Sequence, residues 1–345
     1  MARDVEKNSI VVDNKNYAHI NNDPNRAIIR KRRRFERWDG YKPKSLESFR
    51  KLMPFVMRTR NGSVNFFEDT FDVTEVVKYL DEKNKKLDEA KKSGDLKDFG
   101  NGKIPKYSYN LFFITLIVRL LTLRPWLNRF ISRKNIYQRH DVEIAFPVKK
   151  QFDDVGEEST RFEVFDRDSN IEDVGEIIFD SIKGVKQTTR DPSGDFIGTA
   201  TKLPNIFLTC LVLFLDFSIA IGFCPDFLRR VDTMQSSVLF SNLGSIGLKG
   251  APHHHLYDRG TSSLLITAGS VRKEKIINIE DIDDIDELMN NKELLKERYV
   301  VDIKISMDER IADGFYYIKS FKLLEEILKN PYQLDERLKE VPIDD

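Results

Sequence analysis

Asp308-Glu309-Arg310-Ile311-Ala312-Asp313-Gly314 follows a run in which Val300, Val301, Ile303 and Ile305 supply apolar side chains. It precedes an amphipathic stretch, Phe315 to Lys329, that stops at Asn330-Pro331. Tyr299 to Ser306 reads as a strand, and the amphipathic stretch reads as a helix ended by its proline. Strand-to-helix junctions are where α/β proteins place ligands. Glu309 and Asp313 stand four apart, with Gly314 closing the turn. Two readings follow. One carboxylate acts as a base and the other as an anchor, or the heptapeptide is a charged turn whose Asp313 caps the helix. Spacing alone favours the turn.

Upstream, Ser263 to Ala268 reads as another strand. Val238 to Phe240 leads into a small-residue turn, Ser241-Asn242-Leu243-Gly244-Ser245-Ile246-Gly247. Between them stands His253-His254-His255. Consecutive residues of an extended chain point in different directions, and no Cys or Glu lies at ligand spacing, so no metal site is expected. A polar loop at the mouth of a site is the simpler reading. One of the imidazoles can still serve as a base, because histidine titrates near neutrality. The chain has no GxxxxGK[ST], no GxGxxG after a strand and no HExxH.

Asn65 to Phe71 reads as a strand, and a helix from Val73 to about Ala90 follows, with Asp72 and Glu75 placed for a capping box. Lys91 to Lys106 reads as a linker around Gly94, Gly100 and Gly102. Leu111 to Leu123 is apolar but, at thirteen residues, too short to span a bilayer, so a buried helix is expected. Asp141 to Lys149 and Arg161 to Phe165 read as strands, and Ile171 to Gln187 as a helix. Leu203 to Cys224 has sixteen apolar residues in 22, with Asp216 in its middle. It reads as one helix, lying in a groove, on a neighbouring subunit or on a membrane surface, or less readily spanning a membrane. Glu280 to Glu287 carries six acids in eight residues and reads as surface.

The 345 residues hold 56 Lys+Arg and 56 Asp+Glu, a net charge of zero. With 40% apolar residues, these figures exclude a collagen, a disulfide scaffold and a wholly disordered chain. Residues 1–25 read as a polar arm. Residues 26–60 hold thirteen Lys/Arg and three acids, a local net of +10 with its densest part at Arg30–Arg34. A solvated face is the simpler reading, and no nucleic acid is expected as a partner. Cys210 and Cys224 both lie in the apolar run, which suits a reducing compartment. The N-terminus has no secretory signal, so a cytoplasmic location is expected, with membrane association through 203–224 left open.

Asp308–Gly314 resembles the DHRxxDG signature of CoA-dependent acyltransferases. These are the catalytic subunits of 2-oxo-acid dehydrogenase complexes together with chloramphenicol acetyltransferase, and Phe315 after the glycine looks like the latter. Phe240–Gly247 resembles the family's ISNLGxxG stretch, and Ser263–Gly269 the strand that follows it. Phe71-Asp72-Val73-Thr74 resembles its early EVDVT turn, and Arg26–Lys31 its opening basic helix. The matches come in the family's order. The resemblance implies an α/β two-layer sandwich with a mixed sheet and packed helices, spanning 26–335. An apolar helical insertion at 203–227, an acidic insertion at 278–297 and a tail at 336–345 elaborate it. No lipoyl domain is expected, so the chain looks like a stand-alone acyltransferase domain.

In that family a base deprotonates a thiol or hydroxyl, which attacks a thioester, and a serine stabilises the oxyanion. Carried over, the resemblance implies Ser241 as oxyanion donor and Asp313 as the structural acid that pairs with an arginine. It also implies Asn242, Gly244, Ser245 and Gly247 near coenzyme A, acyl-CoA as substrate, and a site between subunits of a homotrimer. Glu309 stands where the family has its catalytic histidine. Either a buried Glu309 is the base, or one of His253, His254 and His255 replaces the imidazole, or the chain binds acyl-CoA or lipid without turnover.

Overall fold

Ile303, Ile305 and Met307 point to one side of a long strand while Lys304 and Ser306 point to the other, and this alternation sets the architecture. The computed structural model describes residues 36–149, 158–187, 198–199, 201–224, 232–277 and 295–342. The polar arm 1–25, the run Arg30–Arg34 and the acidic run Glu280–Glu287 lie outside the described residues.

In chain order the strands are β1 (Gly40–Tyr41), β2 (Val64–Asp72), β3 (Arg129–Ser132), β4 (Asn135–Arg139) and β5 (Val142–Lys149). Then come β6 (Glu158–Phe165), β7 (Val238–Asn242), β8 (Leu264–Ala268), β9 (Arg272–Ile277) and β10 (Leu295–Asp308). The longer helices are α1 (Ser48–Val56), α2 (Thr74–Ser93), α3 (Tyr109–Leu123), α4 (Ile171–Gln187), α5 (Asn205–Ala220) and α6 (Gly314–Lys329).

The main sheet runs β2-β10-β8-β7-β5-β6, with β9 also paired to β10. It is mixed: β5, β7 and β8 are parallel neighbours, and the other pairs are antiparallel. One face carries the core. Ile303, Ile305, Met307, Leu264, Ile266 and Phe240 pack there against α2, α3, α4 and α6. Phe67 of β2 stacks on Phe321 of α6 at 3.6 Å between ring centroids, fastening the edge strand to the helical layer. The opposite face carries Leu239, Ser241, Leu265 and Thr267. The loop between β7 and β8 folds back over it, pinned where Thr267 donates to the Pro252 carbonyl at 2.8 Å.

α3 is buried along almost its whole length, as its composition predicts. Its Arg119 reaches out to the carbonyls of Gln333 and Glu336. The latter contact, with Arg337 paired to Asp173, fastens residues that the sequence suggested to be a tail. The capping box at Asp72 does not form. Asp72 accepts from the Thr74 N–H at 2.9 Å, and Glu75 pairs with Lys78 instead. The helix also runs three residues beyond Ala90, into the expected linker, and ends at Gly94 in the left-handed region, where a Cβ is unfavourable.

A second sheet, β1-β4-β3, went unread in the sequence. Its β3–β4 hairpin turns at Arg133 and Lys134, both with positive φ, as a two-residue turn of this hand requires. α5 begins after Pro204 and is shorter than the Leu203–Cys224 run. Among the described residues no helix is long and apolar enough to cross a membrane. Asp216 within α5 pairs with Arg259 at 2.9 Å, which accounts for a carboxylate in so apolar a helix.

β10 is hydrogen-bonded on both sides, and Ile305 is 3% exposed at its centre. Ile305→Ala is expected to cost about 2–5 kcal/mol, from lost transfer energy and the cavity left behind. Urea denaturation followed by circular dichroism measures it.

Candidate functional site

The turn after β10 is built around a buried ion pair. Asp308 is fully buried, and Arg310 grips its two carboxylate oxygens in a fork, at 2.8 Å through Nε and 2.7 Å through Nη2. Ser63, in the turn just before β2, donates to the same carboxylate at 3.1 Å, and the Arg310 N–H adds a fourth bond. Tyr317 of α6 donates to the Asp308 carbonyl at 2.9 Å. The turn, the residue before β2 and the first turns of α6 therefore meet at one residue, Asp308.

Glu309 sits in the middle of this lock. Its N–H donates to the Ser63 carbonyl at 2.9 Å and its carbonyl accepts from Arg50 at 3.2 Å. Its side chain is only partly buried, and among the described residues its carboxylate makes no hydrogen bond. Asp313 caps α6 by accepting from the Tyr316 N–H at 2.7 Å, and its second oxygen meets Arg50 at 3.3 Å. Arg50 belongs to the basic 26–60 segment. Gly314 has no positive φ and starts the helix rather than closing the turn.

Beside the lock lies a cleft of about 600 Å³ lined by Arg58, Arg60, Arg133, Lys134 and Arg310, with Asp258 the acid on its wall. Arg60 donates to the carbonyls of Tyr257 and Gly260 and so holds the far end of the β7–β8 loop. Burial is the largest cause pushing the Arg60 guanidinium down, to about 10; Asp308 opposes it, while Arg310 and Arg139 add repulsion.

Ser241 stands at the carboxyl end of β7, on the face turned from the helices. It lines a separate cavity of about 370 Å³ with Thr267, Met234, His253, His254 and Tyr257 among the other wall residues. Among the described residues that wall carries no carboxylate, and the Ser241 hydroxyl makes no hydrogen bond. Glu309 and Asp313 are not on this wall. The structure thus brings Ser241 together with His253 and His254, and not with Glu309.

The three histidines have different partners. His253 Nε2 meets Glu68 Oε2 at 3.1 Å, His254 Nδ1 the His255 carbonyl at 2.6 Å, and His255 Nδ1 the Leu256 carbonyl at 3.0 Å. Lys304 first, and His253 after it, hold the Glu68 carboxyl below its ordinary value. Among the described residues no three His, Cys, Asp or Glu side chains gather as metal ligands. After β7 a 3₁₀ turn, Leu243–Ile246, ends at Gly247 with φ of 84°. Gly244 allows close backbone approach, since a Cβ there would lie 2.5 Å from the Gly269 carbonyl. Asn242 is half-buried in the strand end, while Ser245 and Gly247 are exposed. Sequence reasoning missed Glu68, because nothing in a strand sequence says which loop will cross its open face.

By sequence the chain matches no known family model, and no curated protein is detectably similar to it. By structure it is similar to a probable dihydrolipoamide acetyltransferase from Listeria monocytogenes. The TM-score is 0.50 at 15% identity, covering 84% of this chain and 95% of that one. It is also similar to a truncated catalytic core of the 2-oxoacid dehydrogenase complex from Thermoplasma acidophilum, with TM-score 0.48, 13% identity and coverages of 83% and 97%. A chloramphenicol acetyltransferase gives a TM-score of 0.47 at 12% identity, with coverages of 82% and 96%. The Listeria likeness shows the fold, the mixed-sheet α/β sandwich that the sequence resemblance implied.

Arg310→Met leaves Asp308 buried without its partner, and is expected to cost about 3–5 kcal/mol. Arg50→Met, whose partner Asp313 is half exposed, is expected to cost at most about 1 kcal/mol through that ion pair. Chemical denaturation of the two variants side by side checks the ranking.

Proposed function

We propose that the chain transfers an acyl group between a CoA thioester and a thiol or hydroxyl acceptor. The observation that carries this reading is Ser241. It presents an uncommitted hydroxyl at the end of a parallel strand, on the wall of a mostly apolar cavity that also holds imidazoles. Such a donor stabilises an oxyanion more strongly in an apolar cavity than in water. The fold supports the reading, since the Listeria protein of the same fold is a probable dihydrolipoamide acetyltransferase. The cleft lined by Arg58, Arg60, Arg133, Lys134 and Arg310 suits the phosphates of CoA. The Leu243–Gly247 turn, with Asn242, Gly244, Ser245 and Gly247, offers backbone and hydroxyl groups to the rest of that molecule.

Glu309 lies off the Ser241 wall, so as a base it would act at the Ser241 of a second copy. This fits a homotrimer with its sites between subunits. The exposed apolar side chains of α5, among them Phe207, Leu213, Phe214 and Phe217, suit a contact between copies. Cys210 and Cys224 are both free thiols. One observation favours a second reading, acyl-CoA binding without turnover: among the described residues nothing orients the Glu309 carboxylate.

Thiol release from a panel of short- and long-chain acyl-CoAs with a small thiol acceptor tests the reading. Turnover is expected, and Ser241→Ala should lower kcat about 10²–10³-fold. Saturable binding with no turnover across the panel would instead establish the second reading. Light scattering is expected to give the mass of three copies, and a monomer would remove the shared-site arrangement.

A further inference from the structure

α5 is apolar on two faces, and only one of them lies against the protein. Leu208, Leu211, Val212, Leu215 and Ile219 form the inner face, half-buried or buried. Ile206, Phe207, Leu213, Phe214 and Phe217 form the outer one, each more than half exposed. Their spacing makes one stripe along a helix about 24 Å long. No charged side chain stands on that stripe, and the Thr209 hydroxyl beside it already donates to the Asn205 carbonyl at 2.7 Å. The helix is fixed in place. Arg37 donates to the carbonyls of Ile219 and Ala220 at its end, and Ile219 packs with Trp38. A helix that is apolar all round is a helix that something covers. α1 repeats the pattern: Arg50 and Met53 face inward, while Phe49, Leu52, Phe55 and Val56 face out, each more than half exposed. The tip of the β3–β4 hairpin joins the two stripes. Arg133 lies over the Phe217 ring of α5 at 5.2 Å, and Lys134 over the Phe55 ring of α1 at 5.2 Å. Both cations are exposed, and among the described residues neither has an acid partner. Lys51 on α1 and Arg58 just beyond it are exposed on the same border.

We infer that α1, α5 and the hairpin tip between them dock on a membrane surface of anionic phospholipid. The outer apolar side chains enter the acyl-chain boundary, and Arg133, Lys134, Lys51 and Arg58 meet the phosphates. Sign decides between this occupant and a second copy of the chain. Across a two-fold axis the patch would meet itself, and four cations would face four cations, because neither outer face carries an acid. An anionic bilayer supplies both halves of the surface, hydrocarbon and negative charge. Residues 26–60, which contain α1, carry a net charge of +10, the sign such a surface attracts. α5 lies in the interface and does not cross it: it is too short to span, and its inner face is held by the protein. Its lack of a charged face follows, since the side turned from the lipid is covered by protein and not by water. Arg58, Arg133 and Lys134 also line the cleft that suits CoA, so the test contains no CoA, and its result stands whether or not acyl transfer holds.

The full chain is sedimented with two kinds of vesicle, phosphatidylcholine alone and about three parts phosphatidylcholine to one of phosphatidylglycerol. It is expected to bind the mixed vesicles at least about tenfold more tightly than the neutral ones, and to be released as salt is raised toward about 0.5 M. Phe207→Ser with Phe214→Ser, and separately Arg133→Gln with Lys134→Gln, should each weaken binding at least about tenfold. All four side chains are exposed, so circular dichroism should stay that of the wild type. A second readout needs no substitution. Cys210 is an exposed thiol on the outer stripe while Cys224 is buried. A nitrobenzoxadiazole label on Cys210 should shift to the blue on mixed vesicles, and lipids brominated on their acyl chains should quench it. A chain that stays in the supernatant with both vesicles, or a label that does not shift, would overturn the inference. Binding that ignores the lipid charge would overturn it too. Binding kept by the phenylalanine pair and lost only with Arg133 and Lys134 would be adsorption by charge alone, and would also overturn it. A wild type that ignores vesicles, and whose oligomer the phenylalanine pair splits in light scattering, would give the face to a second copy instead.

Discussion

The buried fork between Asp308 and Arg310 is the contact on which the rest of the molecule depends. Neither charge can be left alone at that depth, because an unpaired buried ion costs several kcal/mol. The carboxylate therefore recruits every donor within reach, from the turn before β2, from its own turn and from Arg310, whose other nitrogen bonds the Met57 carbonyl just beyond α1. Tyr317 ties the helical layer to the same residue. The order of the layers follows: the end of β10, the start of β2, the end of α1 and the first turn of α6 are held at one point. Arg60 extends the network to the carbonyls of Tyr257 and Gly260, and so to the loop that roofs the open face of the sheet.

The sheet divides its two faces between stability and chemistry. The odd positions of β10 and the even positions of β7 and β8 bury aliphatic and aromatic groups under the helices. The alternate positions hold Ser241, Thr267, Ser306 and, on β2, Glu68. These polar groups do not waste a buried face. Thr267 and Ser306 grip loop carbonyls, Glu68 grips a loop imidazole, and Ser241 is left uncommitted. Period two in a strand places such groups side by side without any proximity in sequence.

What could be read from the sequence was what rests on local periodicity. The strand before Asp308, the helix after Asp313 with its cap, the buried α3 and the α4 pattern all announce themselves within a dozen residues. What was missed rests on pairing at a distance. The β1-β4-β3 sheet has little apolar alternation, and its interior is filled by Arg139, which bonds Glu143 and the Ser236 and Thr261 carbonyls. α1 holds Pro54 within a basic stretch, which hides it from periodicity. The capping box failed because Asp72 is still in its strand and reaches only the Thr74 N–H. Glu68 stands 185 residues before His253, and only the β2–β10–β8 order brings them together. Ser241, Glu309 and Asp313 were found by resemblance, and their separation, with Ser241 on the cavity wall and the two acids off it, had no signal in the sequence at all.

That separation suggests why a carboxylate suits position 309. Glu309 lies in a corner crowded with cations: Arg50 bonds its carbonyl, Arg310 is its neighbour, and Arg60 already feels repulsion from Arg310. An imidazole used as a base there would have to become positive among them, at a Coulombic cost that falls slowly with distance in a partly buried site. A glutamate brings the opposite sign and relieves the corner. Across the sheet the balance is reversed. The His253 ring meets a carboxylate, Glu68, at 3.1 Å, and Lys304 holds that carboxylate from its other side. An anion in the cationic corner and an imidazole beside a carboxylate are the two placements that the charges of this molecule favour, and the lock at Asp308 holds both to one frame.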